Sequence, residues 1–375
     1  MVAGMTGRLA PFANSPRIVI KLGSSLLVAA DGTPHREWLA GLVAELAAAR
    51  ATGREIVLVS SGAIALGSRR LGLAKGGRAS LEDAQAAASV GQIALAGLYA
   101  ELFAAHGLAA AQLLLTLDDL EDRRRHMNAA ATLDRLLALG AVPVVNENDS
   151  VATGEIRFGD NDRLAARVAL ACGAGALILF SEVAGLFTAD PARDPAARLI
   201  ETIDDAGAVG ADTRGGSTMG TGGMAAKLVA ARIASRGGCA VAIADGRGKR
   251  PLARLLETGV GTVFMAGSST SARKSWLLGR ASVAGRVIVD TGAAAALKGG
   301  ASLLAAGVVR VEGEFGRGEV VEVTQLDGVT VARGLAAYDA DDARRIAGHR
   351  SDAHEAILGQ PPRSALIHRD HLVLA

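Results

Sequence analysis

The chain has 375 residues, half of them hydrophobic, with a formal net charge of +2 at pH 7. That length predicts two domains, and the hydrophobic share is ample for a globular interior. Only 3% of residues are aromatic, so a base-stacking nucleic-acid surface has few platforms, and the near-neutral charge argues against a strongly electrostatic partner.

Cys172 and Cys239 offer neither a metal spacing nor a disulfide framework, and both read as small core residues. Residues 1–16 lack the uninterrupted apolar run of a signal peptide, and no later run reaches membrane-spanning length without charge. The expectation is a soluble, cytoplasmic protein with no membrane partner. Of the 40 basic residues only six are lysines, which makes a lysine beside a glycine-rich turn informative.

In chain order, Arg17 to Lys21 is a short apolar strand running into the small-residue turn Leu22-Gly23-Ser24-Ser25. Backbone amides of such a turn can approach phosphate oxygens, with Lys21 adding a point charge, although plain turn chemistry explains the pattern equally well. Residues 35–51 predict a helix, Glu55 to Val59 a strand, and Ser60-Ser61-Gly62-Ala63 the opening of another helix. Repeated βα units with small residues at each strand end suit a parallel sheet with a ligand crevice. A long helix over about 81–106 carries Gly91-Gln92 in its middle, where glycine allows close backbone packing. Gln92 reads either as a ligand donor or as a buried, satisfied amide.

Ala111 to Leu115 is a further strand, and the acids and bases of 118–125 suit a solvated helix, with the arginine triplet as surface charge. The densest chemistry follows. A buried strand through Val142, Val144 and Val145 stops at Asn146-Glu147-Asn148-Asp149, and Gly159-Asp160-Asn161-Asp162 then opens an amphipathic helix. Both polar knots are expected to face one crevice beyond the strand ends. Ala176 to Phe180 predicts a strand ending at Ser181-Glu182. The run from Gly215 to Lys227 is a glycine-rich loop feeding a helix, without the Gly-Lys-Ser/Thr order of a Walker loop but with the same phosphate-binding physics. Strands follow at 239–244 and 261–265, then a Gly/Ser/Thr-rich linker, and beyond Gly285 short runs between Gly and Asp turns predict a small β-rich domain.

Two lysines on glycine-rich turns and clustered aspartates fit phosphoryl transfer from a nucleotide, in which the protein mainly positions and neutralises charge. Lys21 and Lys227 would supply positive charge. Asp162 would either hold those lysines or help hold a hydrated Mg²⁺. No serine nucleophile elbow appears at a strand end, and the seven histidines are scattered, which weakens hydrolase readings.

In this order, Lys21 to Ser25, Ser61-Gly62-Ala63, Asn146 to Asp149, Gly159 to Asp162 and Gly220 to Lys227 resemble the amino acid kinase family. The closest likeness is to the branch that phosphorylates free glutamate. The tail, including Arg344-Arg345-Ile346-Ala347-Gly348, is similar to a PUA domain. The resemblance implies an α/β fold, a three-layer αβα sandwich around a mainly parallel sheet, plus the β-rich PUA-like domain. It divides the chain into a flexible tail (1–15), a kinase domain (16–266), a linker (267–284) and the PUA-like domain (285–375).

It further implies ATP-dependent phosphorylation of the γ-carboxylate of L-glutamate, the first step of proline synthesis. Ser61, Asp149 and Asn161 match glutamate contacts; Lys21, Lys227 and Asp162 match the groups that stabilise the transferring phosphoryl group and organise its lysines. ATP would contact Lys21, Gly23, Ser181, Glu182, Thr221, Gly222, Gly223, Met224, Ala225, Ala226 and Lys227, with Mg²⁺ as cofactor and no protein metal site. Where the family has Thr or Ser followed by Asp, this chain has Ser181-Glu182. Feedback inhibition by L-proline, coupling to glutamyl phosphate reductase and a homo-oligomeric state are further implications. The alternatives are a different acceptor (aspartate, N-acetylglutamate or a nucleotide) or RNA binding through the PUA-like tail, which low aromatic content disfavours.

Overall fold

The computed structural model describes residues 7–151, 160–191, 193–206, 222–267, 283–363 and 365–374. The chain divides into two compact units, Met1–Ser269 and Thr270–Ala375.

In the first unit, β1 (Arg17–Leu22), β2 (Glu55–Val59), β3 (Ala110–Leu115), β4 (Val142–Glu147), β5 (Ala176–Ser181), β6 (Thr202–Ile203), β7 (Ala240–Asp245) and β8 (Thr262–Phe264) form one sheet. Its order is β3-β4-β2-β1-β5-β7-β8-β6, parallel except for the β7–β8 pair. The chain leaves β1 toward β2 on one side and later returns to β5 on the other, so β1 is the switch point at which ligands bind in open α/β sheets.

Side chains alternate between the two faces of a strand, and β1 follows this rule. Ile18, Ile20 and Leu22 join a core with α3 (Arg36–Ala51), α4 (Ala63–Leu71), α5 (Leu81–Ala104) and α10 (Pro251–Thr258). Val19 joins the opposite core, built with α7 (Arg123–Ala138), α8 (Asp160–Ala171) and α9 (Gly222–Arg236). Two helical layers therefore enclose the sheet, as expected. By the same alternation Lys21 points to the α8/α9 face.

The expectation of close packing at Gly91 is met. A Cβ there would lie 1.8 Å from the Ala63 carbonyl, and one at Gly67 would lie 1.8 Å from the Ala87 carbonyl, so α4 and α5 cross backbone to backbone. Helix α5 is also long and apolar enough to cross a membrane, yet it carries Leu95, Tyr99 and Phe103 into the core of this unit.

Several elements differ from expectation. The turn after β1 is one helical turn, α2 (Ser24–Leu27), which begins at Gly23. The acid/base run of 118–125 is split between α6 (Leu117–Glu121) and α7, because Asp122 adopts an extended conformation and caps α7 through Arg125 N at 2.9 Å. The tail of 1–15 is not uniformly flexible: α1 (Ala10–Asn14) forms and buries Phe12 completely, the apolar ring outweighing the short helix's weak intrinsic stability. The linker, apart from Gly267, Val283 and Ala284, lies outside the described residues.

In the second unit, β9 (Gly285–Val289), β10 (Val308–Gly313), β11 (Val320–Gln325), β12 (Thr330–Leu335) and β13 (Leu372–Leu374) form a sheet of order β10-β9-β11-β12-β13. Only β9–β11 is parallel. Helices α11 (Thr291–Lys298), α12 (Ala340–Ile346) and α13 (His354–Leu358) complete the unit, whose core includes Val287, Val323, Leu366 and Ile367.

The α4–α5 crossing generates a stability prediction. Gly91→Ala should destabilise the protein by about 1–3 kcal/mol or more, because backbone rather than a flexible side chain must move. Gly97→Ala on the same helix meets nothing within 4 Å and should instead be neutral or stabilising by up to about 1 kcal/mol. Urea unfolding midpoints of the two variants against the parent check this.

Candidate active site

The parallel strands end together: Lys21 is level with Val59 of β2 and Leu179 of β5, Val59 with Val145 of β4, and Ser181 with Asp245 of β7. This row of strand ends, closed by the first turns of α8 and α9, contains most of the residues singled out in the sequence.

Asp162, in the first turn of α8, is 1% exposed. Its Oδ1 lies 2.7 Å from the Lys21 Nζ and its Oδ2 3.2 Å from the Lys227 Nζ. The first contact has ion-pair rather than aligned hydrogen-bond geometry, whereas Lys227 donates to Asp162 properly. Lys227 also reaches back to the Gly223 carbonyl at 3.4 Å. A buried charge is tolerated only when paired, and one carboxylate here pairs with two ammoniums. The group therefore carries an excess positive charge directed at the crevice. Burial pushes the Lys21 pKa below that of an ordinary lysine, with Asp162 opposing the fall and Lys227 adding to it.

Both Asp162 oxygens are thus engaged, which favours the lysine-ordering role over the metal-holding one. Among the described residues no group of three or more His, Cys, Asp or Glu side chains could hold a metal ion.

The two polar knots meet. The Glu147 amide at the end of β4 donates to Asn146 Oδ1 at 2.9 Å and to Asn161 Oδ1 at 3.2 Å. That bond fixes the Asn161 oxygen against the end of β4. Asp149 is buried in the turn after β4, where Asn148 N donates to the Leu115 carbonyl at 3.0 Å. Ser61, half-buried, precedes Gly62, whose φ of 97° is open to glycine and whose Cβ would come 3.0 Å from Val28 Cγ2. That left-handed residue lets the chain turn sharply from β2 into α4.

Beside β5, Gly23 N donates to the Phe180 carbonyl at 3.2 Å, tying the turn after β1 to that strand. The Ser181 hydroxyl is buried without a partner among the described residues, and Glu182 beside it is exposed. Arg247 forms a bidentate pair with Asp245, the main cause of its raised pKa, and Glu182 adds to the effect. Gly222 begins α9, and Gly223, Met224, Ala225 and Ala226 form its first turn, with Met224 packed on the core. Thr221, the rest of the glycine-rich loop, Gly159 and the side chain of Asp160 lie outside the described residues.

Two supporting pairs, each joining a strand end to α5, were not among the expected site residues. Asn146, 2% exposed, donates to Gln92 Oε1 at 2.8 Å, so Gln92 is a half-buried amide that holds the β4 end. Ser60 shares a 2.9 Å hydrogen bond with the buried Tyr99 hydroxyl. Even-numbered positions of β2 and β4 face the α5 layer, a periodicity that could have flagged Ser60 and Asn146.

Comparison with known proteins agrees with this geometry. Residues 16–245 match the Amino acid kinase family, and residues 285–358 match the PUA domain. Glutamate 5-kinase of Novosphingobium aromaticivorans is 56% identical over 376 residues, covering 100% of both chains. Glutamate 5-kinase of Sphingopyxis alaskensis is 56% identical over 98% of this chain and 99% of its own, and that of Zymomonas mobilis 54% identical over 96% and 92%. Among solved structures, a UMP kinase from Bacillus anthracis superposes with a TM-score of 0.46 at 15% identity, covering 68% of this chain and 97% of that one. The chain belongs to the amino acid kinase family and carries a C-terminal PUA domain.

Proposed function

We propose that the chain transfers the γ-phosphoryl group of ATP to the γ-carboxylate of L-glutamate, giving L-glutamyl 5-phosphate and ADP. The observation that carries this reading is the buried Asp162 holding Lys21 and Lys227 at the sheet's switch point, next to Asn161 and the β4 end. The full-length likeness to proteins named glutamate 5-kinase selects the acceptor.

In the reaction a γ-carboxylate oxygen attacks the terminal phosphorus, and the bond to the bridging oxygen of ADP breaks. The carboxylic acid has a pKa of about 4.3, so the nucleophile is already ionised and no general base is needed. Lys21 and Lys227 stabilise charge on the transferring group and the leaving oxygen, while Asp162 fixes both ammoniums without reorganisation during transfer. Asp149 binds the α-ammonium, and Ser61 and Asn161 donate to the carboxylates. Gly23, Ser181, Glu182 and the residues from Thr221 to Lys227 surround ATP. Magnesium belongs to this reading as the counter-ion of the nucleotide's phosphates, held by them and by water, since Asp162 has no free oxygen.

The product is a labile acyl phosphate, which supports functional coupling to glutamyl phosphate reductase. We assign the step to the start of proline synthesis, with feedback by L-proline, a homo-oligomeric enzyme and a cytoplasmic location as parts of the same reading.

ATP-dependent hydroxamate formation with L-glutamate, L-aspartate and N-acetyl-L-glutamate tests the acceptor. Turnover is expected with L-glutamate; turnover of the acetylated compound alone would overturn the reading. Lys227→Ala should lower kcat by about 10²–10³ while changing the KM for glutamate little. Asp149→Ala should act mainly on that KM. Equal effects on both parameters in both variants would contradict these roles.

Asp162→Asn should destabilise the fold by about 3–5 kcal/mol, because it leaves two buried ammoniums without their counter-charge. The pH dependence has a definite sign. Lys21 has a folded pKa below its unfolded value, so between the two values the unfolded chain holds the extra proton. Raising the pH through that alkaline window favours folding. Loss of Asp162 widens the window, so thermal unfolding midpoints should rise more with alkaline pH in Asp162→Asn than in the parent.

A further inference from the structure

The second unit contains two neighbouring arginines, Arg317 and Arg363, that no acid among the described residues pairs with. Arg317 lies in the turn between β10 and β11, and Arg363 in the segment leading toward β13. Tyr338, 3% exposed, holds the second: its hydroxyl accepts from the Arg363 amide at 2.6 Å, and its ring centroid lies 5.9 Å from the Arg363 guanidinium carbon. The Arg317 turn is fixed against the Tyr338 turn by Ala340 N to the Phe315 carbonyl (2.9 Å) and Gly318 N to the Ala336 carbonyl (2.8 Å).

The Arg317 Nε is buried and has no acceptor among the described residues. A buried donor left without a partner costs about 1–3 kcal/mol, so it needs an explanation in a native fold. Burial lowers the Arg317 pKa, and the nearby positive charge of Arg363 lowers it further. The carboxylate two residues along, Glu319, is turned back onto the Gly316 amide at 2.6 Å. Neither arginine makes an ion pair among the described residues. By contrast, Arg333 pairs with Glu322 at 3.0 Å and Arg344 with Glu314 at 2.7 Å.

We propose that Arg317 and Arg363 bind one small phosphate-type oxyanion, inorganic phosphate or a phosphomonoester, beside Tyr338. Such an anion satisfies the buried Nε and cancels the repulsion between two like charges, and guanidinium forks match its oxygens geometrically. The charge of the surroundings selects a small ligand over a nucleic acid. Residues 283–375 carry ten Lys or Arg against twelve Asp or Glu, a net charge of −2, which disfavours a long phosphodiester backbone as the ligand.

The test is calorimetric titration of the full chain with inorganic phosphate at constant ionic strength, with a saturating non-hydrolysable ATP analogue filling the nucleotide site. The parent should bind one phosphate under these conditions. Arg317→Gln and Arg363→Gln should each weaken that binding at least about tenfold, since each removes one charged fork. Both should keep the parent's hydroxamate activity. Arg363→Lys, which retains charge without the fork, should fall between. Should Arg317→Gln fail to fold, Arg363→Gln decides alone, because its side chain contributes no buried orphan donor. Phosphate affinity unchanged in Arg363→Gln would overturn the proposal. So would binding of a single-stranded RNA oligonucleotide with a steep salt dependence and no response to phosphate.

Discussion

One buried carboxylate between two lysines governs the first unit. Asp162 on α8 holds Lys21 from β1 and Lys227 from α9, at 2.7 and 3.2 Å, so three elements far apart in sequence meet at one atom group. Three charges that deep would be unfavourable singly, and the pairing makes them tolerable while leaving one positive charge in excess. That excess charge lies where β1 divides the sheet, the position that parallel topology reserves for a ligand. Fold and chemistry share this constraint: the alternation of β1 that places Ile18, Ile20 and Leu22 in one core aims Lys21 at α8 and α9.

Helix α5 braces the ends of β2 and β4, where the proposed acceptor site lies. It holds the end of β2 through Tyr99 and Ser60, and the end of β4 through Gln92 and Asn146. It also meets the start of α4 by the backbone contact that Gly91 permits. Asn146 then shares the Glu147 amide with Asn161, so a mid-helix amide on α5 is connected by three hydrogen bonds to a residue assigned to the substrate. Shifts of α5 should therefore be felt as changes in acceptor geometry rather than in phosphoryl stabilisation.

Much of this was legible in the sequence because it is local. Strands such as Glu55–Val59 are short apolar runs bounded by turn residues, and helices such as Asp160–Ala171 follow a polar run with an apolar period. Lys21, Asp162 and Lys227 were identifiable as charges at strand and helix ends, but their meeting depends on strand order, which local pattern does not specify. The same limit hid the Gln92–Asn146 pair, separated by 54 residues, and the burial of Phe12 in a stretch too short and polar to predict as helix. Helix α10 starts at Pro251, a residue well suited to a first helical position that does not by itself distinguish a helix start from a turn. The unmatched arginines at Tyr338 were invisible for another reason. Their significance lies in which acids the other arginines occupy.

The central claim is that Asp162 acts through both lysines as one unit. A double-mutant cycle on kcat with Lys21→Met and Asp162→Asn, measured by hydroxamate formation on folded variants, tests this directly. The account predicts strong non-additivity: once Lys21 is gone, removing Asp162 should lower kcat by far less than it does in the parent. Losses that simply multiply would show that the two residues act independently and would contradict the account.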